Sequence, residues 1–455
     1  MTDAPLAAII LAAGQGTRMK SDLHKVLHPV AGRPMLLHLI ASVAELGAAR
    51  TVVVTGAGRE QVEAAVAPHG VAVAVQAEQL GTGHAVRMAE QALAGFSGAV
   101  LILYGDVPLV TAATMQRMVS ALYDGGQAGG EAPTAVVLGF RPDEPGAYGR
   151  VIARDGAIDR MVEAKDASPE ELRETLCNSG LMAIRSEDLF RLLAGVRNEN
   201  AAGEYYLPDV VMLALAEGRR CVVIETDAGE VAGVNSRAEL AAVEESWQQA
   251  RRTRAMADGS TLVAPQTVWF SYDTKLGRDV TVGQNVVFGP GVSVADGATI
   301  HPFSHLEGTI IGSRAAVGPY ARLRPGAVLG ERAKVGNFVE VKNATLGTGA
   351  KASHLTYLGD AEVGDDANIG AGTITCNYDG FFKYRTAIGA GAFIGSNSAL
   401  VAPVTIGAGA IVGAGSVVTQ DVPADALALV RPKQDNKTGW ARRFRDLMLA
   451  KKAAR

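Results

Sequence analysis

The sequence predicts an α/β protein with two parts: an N-terminal Rossmann-like domain with a mostly parallel sheet, and a C-terminal left-handed parallel β-helix of hexapeptide repeats. Two observations predict this division. Apolar runs alternate with amphipathic stretches in the first half, and an aliphatic residue recurs every six positions in the second. A chain of 455 residues is long enough for separate cores. We expect an N-terminal domain at 1–236, a helical linker at 237–258, and the β-helix with its tail at 259–455.

The alternating elements of the first half have the lengths of buried strands and covering helices. The predicted strands are 6–13, 51–55, 71–75, 99–104 and 134–140. The predicted helices are 35–46, 59–67, 83–94 and 111–123. Such alternation favours a mainly parallel sheet with helices on both faces, and ligands bind these sheets beyond the carboxyl ends of the strands. We therefore expect the chemistry just after residues 13 and 104.

The repeat of the second half begins after a charged stretch, 237–256, whose helix formers and spaced apolar residues predict a connecting helix. An aliphatic residue followed by Gly then recurs at Leu276, Val282 and Phe288, and the pattern continues in new frames to Val412. Glycine permits the tight corner where a Cβ would clash. A Gly-rich linker would lack the phased aliphatic residue, so the pattern indicates a solenoid. Its one long break, 375–387, predicts a projecting functional loop.

Composition limits the classes of function. The net charge of −4 argues against nucleic-acid binding through a broad basic field. The three cysteines form no CxxC pair, which favours a reducing compartment. No leader opens the sequence and no apolar run approaches the ~18 residues of a spanning helix. We expect a cytoplasmic protein with no membrane association.

A glycine-rich turn follows the first predicted strand. Gly14 and Gly16 allow the backbone to approach phosphate oxygens, and Arg18 and Lys25 supply two nearby cations. This pattern is neither a Walker loop nor a GxGxxG fingerprint. Asp106 ends another predicted strand at the same sheet edge, where a carboxylate is either a Mg²⁺ ligand or a turn-forming residue.

These residues lie in segments that resemble the sugar-nucleotidyltransferase family. The matching segments are 11–19, 21–27, 32–35, 76–85, 103–109, 148–150, 162–166, 178–180 and 233–237. Across essentially the whole chain, the set resembles the bifunctional bacterial N-acetylglucosamine-1-phosphate uridylyltransferases/glucosamine-1-phosphate N-acetyltransferases. Two departures are His24, where Pro is usual, and Arg33, where Lys is frequent. We expect neither to touch the chemistry.

The resemblance implies a first site that makes UDP-N-acetylglucosamine from UTP and N-acetylglucosamine 1-phosphate. Residues implied in binding these substrates are Leu11, Ala12, Ala13, Gly14, Lys25, Gln76, Gly81, Thr82, Tyr104, Gly105, Asp106, Gly149, Glu163, Asn178 and Asn235. Asp106 and Asn235 would bind Mg²⁺. Arg18 and Lys25 would stabilise charge on the α-phosphate and the departing pyrophosphate. The sugar phosphate is itself the nucleophile.

A second site is predicted within the repeat. Acetylating an amine requires a base, and histidine suits that role at neutral pH. Taken alone, His354 fits a solvent-facing corner residue better than a base, and its neighbours reverse that preference. Arg324 and Lys342 lie near multiples of one ~18-residue coil, which would stack them on one wall as a cationic pocket for a sugar phosphate.

Resemblance to the hexapeptide-repeat acetyltransferases assigns roles in the second site. It implies His354 as the base, with Glu340 as a candidate to orient it. Glucosamine 1-phosphate would contact Arg324, Lys342, Tyr357 and Asn368. Acetyl-CoA, the co-substrate, would contact Ala371, Asn377, Tyr378, Ser396, Ala414 and Arg431. Members of this family are homotrimers with the site between neighbouring β-helices.

Three functions fit these two folds. The chain could be a bifunctional enzyme, a nucleotidyltransferase whose β-helix serves only assembly or allostery, or a non-catalytic relative. The last predicts loss of Arg18, Lys25 or Asp106, and the second predicts loss of the His354 set; all are present. This favours the bifunctional enzyme. The basic tail, 439–455, is either a solvated face or a contact for an anionic cofactor.

Overall fold

The computed structural model describes residues 4–124 and 131–454. The chain divides into two compact units, Met1–Arg251 and Arg252–Arg455. Among the described residues, no helix is both long and apolar enough to cross a membrane.

The N-terminal unit alternates strands and helices. Its strands are β1 Leu6–Ala12, β2 Pro29–Val30, β3 Arg33–Pro34, β4 Arg50–Thr55, β5 Ala72–Val75, β6 Ala99–Tyr104, β7 Ala135–Phe140, β8 Arg150–Arg154, β9 Ala157–Val162, β10 Cys177–Arg185 and β11 Cys221–Thr226. Its helices are α1 Met35–Glu45, α2 Arg59–Val66, α3 Thr82–Arg87, α4 Ala112–Tyr123, α5 Ser186–Leu193, α6 Asp209–Ala216 and α7 Arg237–Ala257, of which α7 continues past residue 251.

Nine of these strands form one sheet in the order β5-β4-β1-β6-β10-β7-β11-β9-β8. The pairs β4–β5, β1–β4, β1–β6 and β7–β11 are parallel, and β10 runs antiparallel between β6 and β7. Only β9 and β10 oppose the common direction. The carboxyl ends of β1 and β6 therefore lie side by side, as a parallel sheet requires.

Apolar side chains cover both faces of this sheet, which is why its strands are continuous apolar runs. Along β1, Ala8 and Ile10 enter one core while Ala7, Ile9 and Leu11 enter the other. The strands predicted from apolar runs are confirmed within one residue at each end.

The helix predicted at 83–94 is a partial error. The α-helix α3 ends at Arg87, and a 3-10 turn follows at Gln91–Leu93. The Ala89 amide bonds to the Val86 carbonyl at 3.0 Å, so the chain tightens to three-residue bonding there.

Helix α7 has a different environment along its length. In the N-terminal unit, Val243 is buried against Val30 and Met35, and Glu244 accepts a hydrogen bond from the Ala31 amide at 2.6 Å. In the C-terminal unit, the fully buried Arg252 donates from Nε to the Val268 carbonyl at 3.0 Å. The helix predicted at the junction is confirmed.

The C-terminal unit is a left-handed β-helix with three parallel sheets. Sheet I contains β12 Thr261–Leu262, β14 Thr281–Val282, β17 Thr299–Ile300, β20 Ala316–Val317, β23 Lys334–Asn337, β26 Lys351–His354, β29 Asn368–Ile369, β32 Phe393–Ile394, β35 Ile411–Val412 and β37 Leu427–Ala428. Sheet II contains β13 Lys275–Leu276, β16 Ser293–Val294, β19 Thr309–Ile311, β22 Ala327–Leu329, β25 Thr345–Leu346, β28 Ala361–Val363, β31 Thr386–Ile388 and β34 Val404–Ile406. Sheet III contains β15 Val287–Phe288, β18 His305–Leu306, β21 Arg322–Leu323, β24 Glu340–Lys342, β27 Tyr357–Gly359, β30 Ile374–Cys376, β33 Ala399–Val401 and β36 Val417–Val418.

Successive coils stack strand on strand in each sheet, so residues one coil apart become neighbours, and in most coils that is 17 or 18 positions. Val282 pairs with Ile300, and Ile300 pairs with Val317. These aliphatic side chains are fully buried, which confirms the solenoid predicted from the six-residue period. Beyond the last coil lies helix α8, Trp440–Ala453, whose residues are all exposed.

Candidate active sites

A cavity of about 370 Å³ opens beyond the carboxyl ends of β1 and β6. Its lining includes most residues predicted to bind the nucleotide. The lining residues are Leu11, Ala12, Ala13, Gly14, Lys25, Val26, Gln76, Gln79, Gly81, Thr82, Ala85, Tyr104, Asp106 and Glu204. The predicted location at the sheet edge agrees with this cavity.

Two glycines let three loops meet around this cavity. Gly16 has φ of +64°, and a Cβ there would lie 2.5 Å from the Cβ of Lys25. Gly81 has φ of +107°, and a Cβ there would lie 2.7 Å from the Tyr205 carbonyl oxygen. Gln79 donates from Nε2 to the Ala13 carbonyl at 2.6 Å, which ties the first loop to the second. Side chains at positions 16 and 81 would force these loops apart.

Lys25, Asp106 and Asn235 meet at one point. The Lys25 ammonium forms an ion pair with Asp106 and donates to Asn235 Oδ1 at 3.2 Å. The backbone explains the approach, because the Val234 amide donates to the Asp106 carbonyl at 2.9 Å. Glu239, in the first turn of α7, accepts from the Asn235 amide at 2.7 Å and fixes the residue before the helix.

The chemistry of this set fits Mg²⁺. Carboxylate and amide oxygens are the ligands Mg²⁺ prefers, and it is commonly held by one or two protein groups together with substrate phosphates. The side-chain oxygens of Asp106 and Asn235 both contact one positive charge, the Lys25 ammonium. Among the described residues, no group of three or more His, Cys, Asp or Glu side chains is arranged to hold a metal ion. A metal at this point would therefore need substrate phosphates as further ligands.

A second cavity of about 300 Å³ shares Thr82, Tyr104 and Glu204 with the first. It contains the residues predicted to hold the amino sugar, Gly149, Glu163 and Asn178. The two cavities together therefore give room for a nucleotide and an attached sugar. A larger cavity of about 560 Å³ contains only Glu163 of the predicted residues, so size alone does not identify the site.

This second cavity is shaped by a glycine and a half-buried carboxyl. Gly180 has φ of +86°, and a Cβ there would lie 2.7 Å from the Tyr104 ring. Asn178 accepts from the Gly180 amide at 2.9 Å, which holds this turn. Burial, followed by the neighbouring Asp166 charge, raises the pKa of Glu163. Glu163 is therefore more readily protonated than an exposed glutamate.

Three predicted residues line neither cavity: Arg18, Gly105 and Asn235, of which Asn235 contacts the lining residue Lys25. Arg18 is exposed and lines neither cavity. Gly105 lies behind the wall, where its amide donates to the Leu11 carbonyl at 2.8 Å. A Cβ at Gly105 would lie 3.1 Å from Val26, so this glycine allows β1 and β6 to end close together.

The sequence analysis missed Gln79, Glu204 and Tyr206, which line the two cavities. Gln79 lies inside a segment already singled out, so its proximity was within reach of the sequence. Glu204 and Tyr206 belong to a loop without a motif. The loop is held by backbone bonds, including the Gly83 amide to the Tyr205 carbonyl at 2.8 Å.

In the β-helix, three of the six residues predicted around acetyl-CoA lie in a column at the corner that follows sheet I. We call Asn337, His354, Ala371, Ser396 and Ala414 the corner column. The register of sheet I stacks these positions on successive coils. Backbone bonds continue the stack, including the Asn397 amide to the Ala371 carbonyl and the Gly415 amide to the Ser396 carbonyl, both 2.8 Å. Arg431 donates to the Ala414 carbonyl at the end of the column.

His354 is held by Asn337 and not by Glu340, so the interpretation of Glu340 is wrong. His354 Nδ1 hydrogen-bonds Asn337 Oδ1, whereas Glu340 pairs with Arg324 at 2.8 Å. Glu340 lies on sheet III, where its register neighbours are Arg322 and Tyr357. The Arg324 guanidinium is therefore balanced by a carboxylate, which raises the pKa of Arg324.

Sheet III carries the predicted cationic residues. Lys342 ends β24 and lies beside Lys383, and the Lys383 hydrogen bond and positive charge lower the pKa of Lys342. Two adjacent ammonium groups suit an anion that contacts both. The sequence analysis missed Lys383 because it belongs to the loop that interrupts the repeat. Asn368 starts β29 in sheet I, three residues before Ala371.

The loop after β30 is anchored by Asp360. The buried Asp360 carboxylate accepts from Asn377 and from Asn343, the latter at 2.5 Å. These amides and nearby lysines outweigh burial and lower the pKa of Asp360. Gly359 leaves room for Tyr357 and Asn377, because a Cβ there would overlap the Tyr357 hydroxyl. Tyr378 is exposed in the loop, and its hydroxyl donates to the Gly380 carbonyl at 2.6 Å.

Comparison with protein-family models gives matches in both halves. Residues 8–174 match the MobA-like NTP transferase domain. Residues 258–351 match the GMPPB C-terminal domain, and residues 385–420 match the bacterial transferase hexapeptide (six repeats). The family models therefore divide in the same order as the two units.

Several curated proteins are similar along the full length. The "Bifunctional protein GlmU" of Rhizorhabdus wittichii is 70% identical over 456 residues, which cover 100% of both chains. The protein of the same name from Novosphingobium aromaticivorans is 65% identical over 99% of both chains. That from Sphingopyxis alaskensis is 64% identical over 99% of this chain and 98% of its own.

Proposed function

The chain belongs to the family of the bifunctional protein GlmU, and on that premise we propose which residues carry each of its two reactions. The protein is a bifunctional enzyme of UDP-N-acetylglucosamine synthesis, a precursor pathway of the cell wall. Its acetyltransferase moves an acetyl group from acetyl-CoA to glucosamine 1-phosphate. Its uridylyltransferase then joins UTP and N-acetylglucosamine 1-phosphate and releases pyrophosphate.

Uridylyl transfer is assigned to the two cavities of the N-terminal unit that share Thr82, Tyr104 and Glu204 in their walls. The nucleotide lies against the loop after β1 and against Gln76, Gly81 and Thr82. The N-acetyl sugar lies against Gly149, Glu163 and Asn178. The observation that supports this most strongly is the convergence of Asp106 and Asn235 on Lys25, since Lys25 and Asp106 both line the first cavity. A sugar-phosphate oxygen attacks the α-phosphorus, and the bond to pyrophosphate breaks.

Charge stabilisation is the main task of the protein in this step, because the nucleophile comes with the substrate. Lys25 faces the α-phosphate and Arg18, exposed beyond the cavity, contacts the departing pyrophosphate. Asp106 and Asn235 would hold Mg²⁺, which would neutralise phosphate charge when bound. To free these two side chains for the ion, the Lys25 ammonium leaves the Asp106 and Asn235 oxygens and binds the substrate phosphates.

Acetyl transfer is assigned to the outer surface of the β-helix around His354. The amine of glucosamine 1-phosphate attacks the thioester carbonyl carbon and the C–S bond breaks. His354 takes the amine proton and returns it to the leaving thiolate. Arg324 and Lys342 bind the sugar phosphate, with Tyr357 and Asn368 beside the sugar.

Acetyl-CoA lies along the corner column next to the base. This assignment is supported by the stacking of Ala371, Ser396 and Ala414 above His354, since their small side chains leave the column open. Arg431 lies at its end. Asn377 and Tyr378, in the loop anchored by Asp360, contact the cofactor from the side.

A homotrimer assembled through the β-helix completes the proposal. His354 and Tyr378 are exposed, and a substrate on an outer wall needs further walls to exclude water. Sedimentation velocity tests the assembly.

We propose the cytoplasm as the compartment, supported by three free cysteines. Product analysis with each substrate omitted in turn tests the two activities.

A further inference from the structure

Two adjacent strands of sheet I are longer than the other strands of that sheet. The strands β23 and β26 have four residues each, whereas the other eight strands of the sheet have two. The extension adds the pair Asn337↔His354 at the carboxyl ends of both strands. The lengthened ladder therefore places these two side chains next to each other on adjacent coils.

Close approach of the two strands depends on a glycine. A Cβ at Gly336 would overlap the Ser353 carbonyl, so any other residue there would push the strands apart. The backbone is fixed on both sides of the pair. The Leu355 amide donates to the Asn337 carbonyl at 3.0 Å, and the buried Thr356 hydroxyl donates to the His354 carbonyl at 2.8 Å.

We propose that Asn337 is a positioning residue for acetyl transfer: its side-chain oxygen accepts a hydrogen bond from Nδ1–H of His354, and this leaves Nε2 as the nitrogen that takes the proton. The inference rests on the proposed role of His354 as the base. A neutral imidazole carries its one proton on either nitrogen, and the partner of the other nitrogen selects the form. Asn337 Oδ1 selects the form that is basic at Nε2.

An amide suits this position better than a carboxylate. A carboxylate such as Glu340 would orient the ring but would also stabilise its positive form, in which neither nitrogen accepts a proton. The Asn337 oxygen orients the ring without adding a charge. Glu340 instead forms an ion pair with Arg324 at 2.8 Å, so its carboxylate does not bond to the histidine.

The test uses the full chain with Asn337→Ala and Asn337→Asp, and Lys334→Ala as a matched control. Lys334 lies on the same strand, is exposed, and pairs in register with Lys351. The measurement is kcat and KM for acetyl transfer from pH 5.5 to 9. Uridylyl transfer and thermal unfolding of each variant report whether it is folded.

Asn337→Ala is expected to lower kcat by roughly 10- to 100-fold, the loss typical when a metal-bound histidine loses its outer hydrogen-bond partner. The KM for acetyl-CoA is expected to change by less than about threefold. Asn337→Asp is expected to restore the high-pH rate to within about fivefold of the native rate and to move the acidic limb up by about one pH unit, because a carboxylate favours the protonated ring. Lys334→Ala keeps the native profile.

Either of two results would overturn the inference. One is an Asn337→Ala rate within twofold of native. The other is a pH–rate profile of Asn337→Asp whose acidic limb stays at the native pH. A merely structural role would lower the rate without shifting that limb. His354→Ala separates this from the proposed function. If His354→Ala remains active, the base itself is misassigned; if it is inactive while Asn337→Ala is native-like, only the positioning role fails.

Discussion

Lys25 donates a hydrogen bond to Asn235 at 3.2 Å, although 210 positions separate the two residues in the chain. The same ammonium pairs with Asp106, so the loop after β1, the end of β6 and the approach to α7 meet at one charge. All three residues belong to the N-terminal unit, apart from the residues assigned to acetyl transfer. The two reactions should therefore respond separately to substitutions.

Asp106→Ala should abolish uridylyl transfer and leave acetyl transfer near the native rate. The substitution removes the charged oxygen proposed for Mg²⁺, and metal is needed only for phosphate chemistry. Pyrophosphate release and CoA release, measured on the same preparation, check both halves of the expectation. A well-folded variant that has lost both activities would show that the sites are coupled.

His354→Ala should have the converse effect. General-base catalysis typically contributes ~10²–10⁴-fold, so acetyl transfer should fall by about that factor while uridylyl transfer persists. His305, exposed in an earlier coil of the repeat, provides the matched control as His305→Ala. Retention of more than about a third of the acetylation rate in His354→Ala would place the base elsewhere.

Residues 1–251 should form an active uridylyltransferase that is more stable than residues 1–236. The shorter piece ends before Val243, which is buried in the N-terminal unit, and before Glu244, which accepts from the Ala31 amide. Losing the burial of one valine side chain lowers the free energy of unfolding by about 1.5–3 kcal/mol. Urea denaturation compares the two pieces. The domain division fails if the longer piece is folded and soluble but makes no UDP-N-acetylglucosamine.

The N-terminal unit should lose stability as the pH falls below about 6.5, the ordinary histidine value. Burial is the main cause that lowers the pKa of His24, His28 and His38 in the folded chain. The unfolded chain therefore binds more protons below that pH, and stability is retained above it. Each histidine contributes a slope of at most about 1.4 kcal/mol per pH unit.

His24→Leu should reduce this pH dependence. The imidazole of His24 is buried, and neither ring nitrogen has a hydrogen-bond partner among the described residues, so Leu removes a proton site without breaking a ring hydrogen bond. Urea denaturation at pH 5.5 and 7.5 measures the slope. The exposed His69 gives the control His69→Leu. Equal slopes for the native protein and His24→Leu would contradict the assignment.

Periodicity was sufficient for most of the fold. Continuous apolar runs identified β1 and β6 because both faces of the sheet are buried, and the six-residue period identified the solenoid because every coil buries one aliphatic residue per side. The end of α3 was missed because it depends on a local change to three-residue hydrogen bonding.

The pairing of side chains was harder to predict than the fold. An assumed coil of ~18 residues did not single out Asn337, which is 17 positions before His354, and the family resemblance gave Glu340 as the candidate. The partner is decided by the extension of two strands and by the close approach at Gly336. Neither feature has a periodic signal in the sequence.

The most direct test of two consecutive reactions in one chain is an omission assay with glucosamine 1-phosphate, acetyl-CoA, UTP and Mg²⁺. With all components, the account predicts UDP-N-acetylglucosamine with equal amounts of CoA and pyrophosphate. Without UTP, only CoA and N-acetylglucosamine 1-phosphate should form; without acetyl-CoA, no nucleotide sugar should form until N-acetylglucosamine 1-phosphate is added. The absence of CoA release with all components present, from a preparation that uses N-acetylglucosamine 1-phosphate normally, would contradict the account.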